Sequence, residues 1–125
     1  MTSYPPETQM NTQMNQQVKE KWSSSLRSGD YQQTKSYLRR EDGFCCLGVL
    51  CDLYIKENNE EWNLANSGNK YEFQDRAATL PPSVMKWAGL RSSNPYIGNG
   101  TQTLGGLNDT GYTFNEIADL IEEHL

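Results

Sequence analysis

The sequence predicts an α+β fold in which a small antiparallel sheet packs around a buried Cys-rich helix, with further helices on the flanks. The run FCCLGVLCDLY at 44–54 is apolar at helical spacing on most faces, which predicts a helix over 45–57 covered by protein. Period-two alternation over 61–75, around a polar turn, predicts a β-hairpin. Thr113 and Glu116 form a capping box, which predicts that the last helix starts there.

Gly48 lies in the middle of the central helix, where a glycine costs roughly 1 kcal/mol relative to alanine. A glycine at such a position is typical of a helix that another backbone approaches closely. The apolar run is also shorter than the about 20 residues that a helix needs to span a bilayer. We therefore expect a buried helix of a globular domain, with no membrane partner.

The segments before the central helix predict a helix over 14–28 that Trp22 docks to the core. Gly29 follows it, at a position that favours the left-handed conformation. From Thr34 to Leu38 we expect a strand, and Asp42-Gly43 is a turn signal.

The segments after the hairpin predict a short helix from Pro81 to about Gly89. Residues 91–106 are rich in Gly, Asn and Ser and form the longest stretch predicted to be irregular, which is typical of a functional loop. Leu107 to Gly111 is expected to be chiefly a turn.

The chain has 125 residues, the length of one ordinary domain. We expect residues 1–12 to be a disordered polar tail and residues 13–125 a single α+β domain. The net charge of −5 is uneven, since 1–40 carries six Lys/Arg and three Asp/Glu, whereas 41–125 carries five and thirteen. The acidic excess argues against general nucleic-acid binding but leaves room for a local basic patch.

The three cysteines are adjacent to one another in an apolar helix, and the N-terminus has no apolar signal sequence. This pattern indicates reduced thiols in a cytoplasm. Cys45 or Cys46, in the first helical turn, could be a nucleophile, but the only histidine is His124, next to the C-terminus. Buried small hydrophobic residues are the favoured interpretation, with a cysteine-dependent hydrolase or transferase as the alternative. The spacing makes no zinc set, so we expect no metal and no cofactor.

Basic and aromatic residues crowd the segment before the central helix. Strand alternation would place Gln33, Lys35, Tyr37 and Arg39 on one side, opposite Leu38. Cations beside an aromatic platform can hold a phosphate and stack a base, although an ordinary polar strand face is the plainer interpretation. With polar residues of the later loops, the candidate ligand-binding residues are Lys35, Tyr37, Arg39, Arg40, Asn94, Tyr96, Asn108 and Asp109.

The order of these motifs resembles a widespread group of small, uncharacterised proteins from phages and bacterial genomes. The likeness covers roughly residues 18–123 and is strongest in FCCLGVLCDL at 44–53 and in LND-x-G-x-x-F-x-x-IA at 107–118. These blocks form a family signature without a catalytic motif. One departure is that the group often has a glycine where this chain has Lys35 or Ser36.

The resemblance implies a non-enzymatic phage-type binding protein in the cytoplasm of a bacterial host. Its expected role is to sequester an anionic, nucleotide-derived small molecule as a counter-defence, with a homo-oligomer or a host protein as a further partner. A protein–protein inhibitor of a host factor is the alternative from a different class.

Overall fold

The structure is a computed structural model and describes residues 13–66, 68–98 and 100–125, so the tail predicted for 1–12 lies outside the described residues. The described residues form a mixed α+β fold with a four-stranded and a two-stranded antiparallel sheet. Its elements, in chain order, are α1 (Gln16–Arg27), β1 (Arg39–Arg40), β2 (Gly43–Phe44), α2 (Cys46–Asn58), β3 (Asn63–Leu64), β4 (Lys70–Glu72), α3 (Pro82–Ala88), β5 (Tyr96–Ile97), β6 (Gln102–Thr103), α4 (Leu104–Asp109) and α5 (Phe114–His124).

The central helix α2 confirms the prediction for 45–57 to within one residue at each end. It is buried around most of its first two turns, and its three cysteines are free and buried. Trp22 is fully buried and donates from its indole Nε1 to the Cys46 carbonyl oxygen at 2.9 Å, so it docks α1 onto α2 as expected.

Gly48 admits the backbone of Leu38 against the surface of α2. A Cβ at this position would collide with the Leu38 carbonyl oxygen and would lie 2.6 Å from the Leu38 carbonyl carbon. The same carbonyl accepts a hydrogen bond from the Cys45 backbone N–H at 3.1 Å, which holds the two segments together. The predicted close approach at this glycine is therefore confirmed.

Helices α1 and α5 pack against each other on the flank of α2. The predicted capping box at the start of α5 is present, with Thr113 and Glu116 each bonding the backbone N–H of the other. At the surface, Arg27 of α1 pairs with Asp119 at 2.6 Å and with Glu122 at 3.1 Å, both on α5. Within the described ranges, no helix has the length and apolarity needed to cross a membrane.

The four-stranded sheet has the order β2-β1-β4-β3, and β3 and β4 form the predicted hairpin. Arg39 lies opposite Phe44 and Tyr71, whereas Arg40 lies opposite Gly43 and Lys70. Because directly opposed residues share a face and successive residues alternate, Arg39 and Arg40 point to opposite faces of the sheet.

The strand predicted from Thr34 to Leu38 is wrong. Ser36 has φ of 76°, in the left-handed region, and its N–H donates to Asp109 Oδ1 at 2.9 Å instead of pairing in a sheet. Gln33, just before this segment, makes an isolated bridge to Phe44. The strand itself begins at Arg39, just after the segment. Strand alternation therefore does not place the side chains of 33–39 on one face.

The region after the hairpin is more regular than the sequence predicts. The short helix from Pro82 to Ala88 and the left-handed Gly89 confirm the prediction there. However, the expected irregular stretch contains the β5–β6 hairpin. Of the turn expected from Leu107 to Gly111, the first three residues are the second half of α4, whereas Thr110 and Gly111 form a turn with Gly111 at φ of 112°. Thr103 caps α4 by accepting from the Gly106 N–H at 3.1 Å, and burial of Leu104 and Leu107 outweighs the poor helix propensity of its two glycines.

Candidate functional site

Arg39 is the predicted site residue with the most distinctive environment. Its guanidinium carbon lies 4.3 Å from the Tyr71 ring centroid, 5.2 Å from that of Phe44 and 5.8 Å from that of Trp62. Each distance is within the range of cation–π attraction. None of the carboxylates in the described ranges forms an ion pair with Arg39. The aromatic rings therefore surround a cation that is in ion-pair contact with no carboxylate of the described part of the chain.

Arg39 borders a polar surface cleft between the sheet and the first two helices. The cleft has a volume of about 460 Å³, within the range of small-molecule sites. It is lined by Ser25, Asp30, Tyr31, Arg39, Phe44, Asp52, Leu53 and Lys56, which we call the Arg39 cleft.

Asp52 is the anchored wall of the Arg39 cleft and is only 7% exposed. Its carboxylate accepts from Tyr31 Oη at 2.6 Å and from Trp62 Nε1 at 3.0 Å, and it pairs with Lys56 Nζ at 3.1 Å. Burial works to raise the pKa of the Asp52 carboxyl, but these three partners outweigh it and lower the pKa below its usual value. Burial and the bond to Asp52 raise the pKa of Tyr31 well above its usual value. At neutral pH the Asp52 carboxyl is therefore ionised and the Tyr31 hydroxyl is protonated.

This lowered pKa predicts an acid-dependent loss of stability. A carboxyl whose pKa is lower in the folded state stabilises the fold above its unfolded pKa of about 3.9 and loses that effect as the pH falls through the folded value. We expect Asp52→Asn to reduce the drop in unfolding free energy between pH 7 and pH about 3. Urea unfolding across this range measures it, with Glu60→Gln as the control for loss of one exposed negative charge. Parallel pH profiles of wild type and Asp52→Asn would contradict the assignment.

Arg40 and Lys70 form a separate basic cluster around Tyr37, on the face of the sheet opposite to Arg39. Lys70 Nζ lies 4.6 Å and the Arg40 guanidinium carbon 5.8 Å from the Tyr37 ring centroid. Lys35, from the same predicted site, is exposed in the bend before Tyr37. The structure thus separates Arg39 from the other three basic or aromatic residues predicted in this segment.

Asn108 has a structural role that the sequence does not reveal. It is fully buried, and its Oδ1 accepts from Gln33 Nε2 at 2.8 Å and from the Cys46 N–H at 3.2 Å. Its Nδ2 donates to the Thr34 carbonyl oxygen at 2.8 Å and to Asp109 Oδ1 at 3.3 Å. The predicted contacts Asn108 and Asp109 therefore join the 33–36 segment to the start of α2.

The remaining predicted contacts, Asn94 and Tyr96, do not line the Arg39 cleft. Asn94 Oδ1 accepts from the Gly105 N–H at 2.9 Å and braces the start of α4. Tyr96 is 59% exposed on β5 and borders a small pocket of about 150 Å³ together with Met14 and Leu125. The structure does not bring these two residues together with Arg39.

The cysteines have environments that suppress nucleophilic chemistry. Burial raises the pKa of the Cys45 thiol to about 11, and burial also raises the pKa of Cys46 and Cys51. Because the thiolate is the reactive form, thiols of this kind react slowly at neutral pH. His124 pairs with its neighbour Glu123 at 3.4 Å.

Of the eight residues that line the cleft, only Arg39 was a predicted contact, and the seven that were not predicted are Ser25, Asp30, Tyr31, Phe44, Asp52, Leu53 and Lys56. Asp52 could have been recognised from the sequence, because it is a carboxylate within an apolar helix. A carboxylate buried in such a helix requires hydrogen-bond or ion-pair partners. Lys56 follows it at the i+4 position, where an opposite charge reaches across one helical turn.

Comparison with known proteins gives one result that bears on identity. No curated protein and no solved structure shows a significant match to the chain. Residues 14–125 match the family described as Domain of unknown function (DUF8296), which covers nearly the whole chain. The chain therefore belongs to the DUF8296 family.

Proposed function

We propose that this protein is a non-enzymatic binding protein that holds an anionic, nucleotide-derived small molecule in the Arg39 cleft. The observation that carries the proposal is the guanidinium of Arg39, which lies within cation–π distance of three aromatic rings and forms no ion pair with any carboxylate of the described residues. An arginine held in this way keeps its planar fork of N–H donors available for a phosphate or carboxylate.

The other lining residues favour a ligand with a planar ring. Tyr31 and Phe44 meet edge to face, with centroids 5.0 Å apart, and both line the cleft. Aromatic side chains of this kind can stack a nucleotide base. The ring of the ligand would then rest on the aromatic wall while its anionic group binds Arg39.

The charge of the cleft favours a ligand with a single negative charge. Asp30 and Asp52 also line the cleft, so their carboxylates would repel an anion that carries several negative charges. Lys56 is engaged by Asp52, whereas Arg39 forms no ion pair with a carboxylate of the described residues and is the cation available to the ligand. A phosphodiester, as in a cyclic nucleotide, satisfies this requirement.

The biological role that we attach to this binding is sequestration of a nucleotide signal during phage infection of a bacterium. It is supported by the resemblance to phage and bacterial proteins described above. Three buried thiols with raised pKa values support binding without covalent catalysis.

A thermal-shift screen against mono-, di- and cyclic nucleotides tests the proposal. A ligand at 100 times its Kd stabilises the folded state by about 2.7 kcal/mol, which raises the Tm of a domain of this size by several degrees. We expect Arg39→Ala to abolish the shift and Arg39→Lys to weaken it, because lysine keeps the charge but not the fork. The lost ring contacts should lower the stability of Arg39→Ala by only about 1 kcal/mol.

Lys86→Ala on α3 is the matched control, since it removes one positive charge outside the cleft. It should retain the full ligand-induced shift. A ligand that stabilises wild type and Arg39→Ala equally would remove Arg39 from the site.

A further inference from the structure

Arg40 and Lys70 present two positive charges directly across the β1–β4 ladder. Like charges at directly opposed positions of an antiparallel pair repel each other and destabilise the sheet. Both side chains are half-buried, so water screens the repulsion less than it would for a fully exposed pair. The fold therefore tolerates an unfavourable arrangement at this point.

The surroundings of the two cations relieve this repulsion only in part. Both charges approach the ring of Tyr37, at 4.6 Å for Lys70 and 5.8 Å for Arg40, and the ring face attracts cations. Within the described ranges, no carboxylate forms an ion pair with either cation, although Glu41 and Asp42 follow Arg40 directly in the chain. Glu72 lies two residues beyond Lys70 on the same face of β4 and also forms no ion pair with it. Two positive charges thus converge on one aromatic ring, and neither is in ion-pair contact with a carboxylate of the described residues.

We infer that Tyr37, Arg40 and Lys70 form a second anion site that binds a phosphate group carrying two or more negative charges. A dianion placed between the two cations would replace their mutual repulsion by two charge-assisted interactions. Arg40 offers the planar fork and Lys70 a compact ammonium group, a combination suited to the several oxygens of a phosphate.

This site is distinct from the Arg39 cleft in position and in charge. Arg40 and Lys70 are opposed on the face of the sheet that Arg39 and Tyr71 do not occupy. The Arg39 cleft is lined by two carboxylates, whereas Arg40 and Lys70 form no ion pair with any carboxylate of the described residues, including Glu72 on the same face of β4. The inference therefore does not depend on the proposed function and can fail or succeed separately.

Isothermal titration with inorganic pyrophosphate tests the inference, with sodium chloride matched for ionic strength. To remove any contribution from the cleft, the titration is repeated in the Arg39→Ala protein, which should bind with wild-type affinity. We expect Arg40→Gln and Lys70→Gln each to weaken pyrophosphate binding at least tenfold. A nucleoside diphosphate, titrated in the same background, shows whether a base adds affinity by stacking on Tyr37 or the phosphates bind alone.

A second readout separates a binding role from a purely structural one. Because Lys70→Gln removes the like-charge pair, we expect it to raise the Tm of the ligand-free protein at low salt while weakening pyrophosphate binding. Lys86→Gln, on α3, is the matched control, and it should neither raise the Tm at low salt nor weaken pyrophosphate binding. The inference is overturned if wild type does not bind pyrophosphate, if Lys70→Gln binds it as tightly as wild type, or if Arg39→Ala loses the binding.

Discussion

Replacing Gly48 by alanine should destabilise the fold by at least about 3 kcal/mol, a large part of the 5–15 kcal/mol that holds a typical domain together. In an unconstrained helix the same substitution would stabilise by about 1 kcal/mol. Here the added methyl group would meet the Leu38 carbonyl, with the Leu38 Cα only 3.1 Å away. Backbone atoms bonded to the start of α2 cannot move aside as a flexible side chain would.

Chemical denaturation of the purified variants measures this effect. Gly29→Ala is the matched control, because Gly29 has φ of 82° but its added methyl group would meet no atom within 4 Å. It should cost only about 1–2 kcal/mol, the penalty of a left-handed non-glycine residue. Equal losses in the two variants would show that close packing at Gly48 is not what excludes a side chain there.

The second large effect is expected at Asn108. Asn108→Ala leaves the buried Cys46 N–H and the Thr34 carbonyl oxygen without their partner. An unsatisfied buried polar group costs about 1–3 kcal/mol, so we expect a total loss of about 3–5 kcal/mol. Gln33 is affected less, because it keeps its bond to the Tyr112 carbonyl oxygen at 2.8 Å.

Asn94→Ala provides the comparison for Asn108→Ala, since it removes one hydrogen bond to the Gly105 N–H from a half-buried position. It should cost about 1 kcal/mol. Urea unfolding of both variants distinguishes the two roles. If Asn108→Ala were as stable as Asn94→Ala, the network around Asn108 would not be what anchors the 33–36 segment.

Helices α2 and α5 could be predicted because their signals are local. The apolar run around Gly48 defines α2, and the capping box of Thr113 and Glu116 defines the start of α5. Both depend on residues within a few positions of one another, so no tertiary contact is needed to recognise them. The polar hairpin turn was recognisable for the same reason.

The segment 33–38 could not be predicted correctly, because its conformation depends on a distant residue. Its alternating pattern resembles a strand, but Asp109 binds the Ser36 N–H from a position 73 residues along the chain. Asn108 holds the neighbouring Thr34 in the same way. Ser36, in the left-handed conformation, interrupts the extended backbone. The side chains of this segment therefore do not alternate between two faces, as the predicted binding face required.

The fold class, the buried central helix, the start of the last helix and the basic and aromatic residues before the central helix could all be inferred from the sequence alone. Which of those residues act together depends on contacts between segments that are distant in the chain. Because β1 pairs with β4, Arg39 meets Phe44 and Tyr71 while Arg40 meets Lys70 and Tyr37. The physical reason is that cross-strand register and buried hydrogen bonds join residues far apart in the chain, which local spacing does not encode.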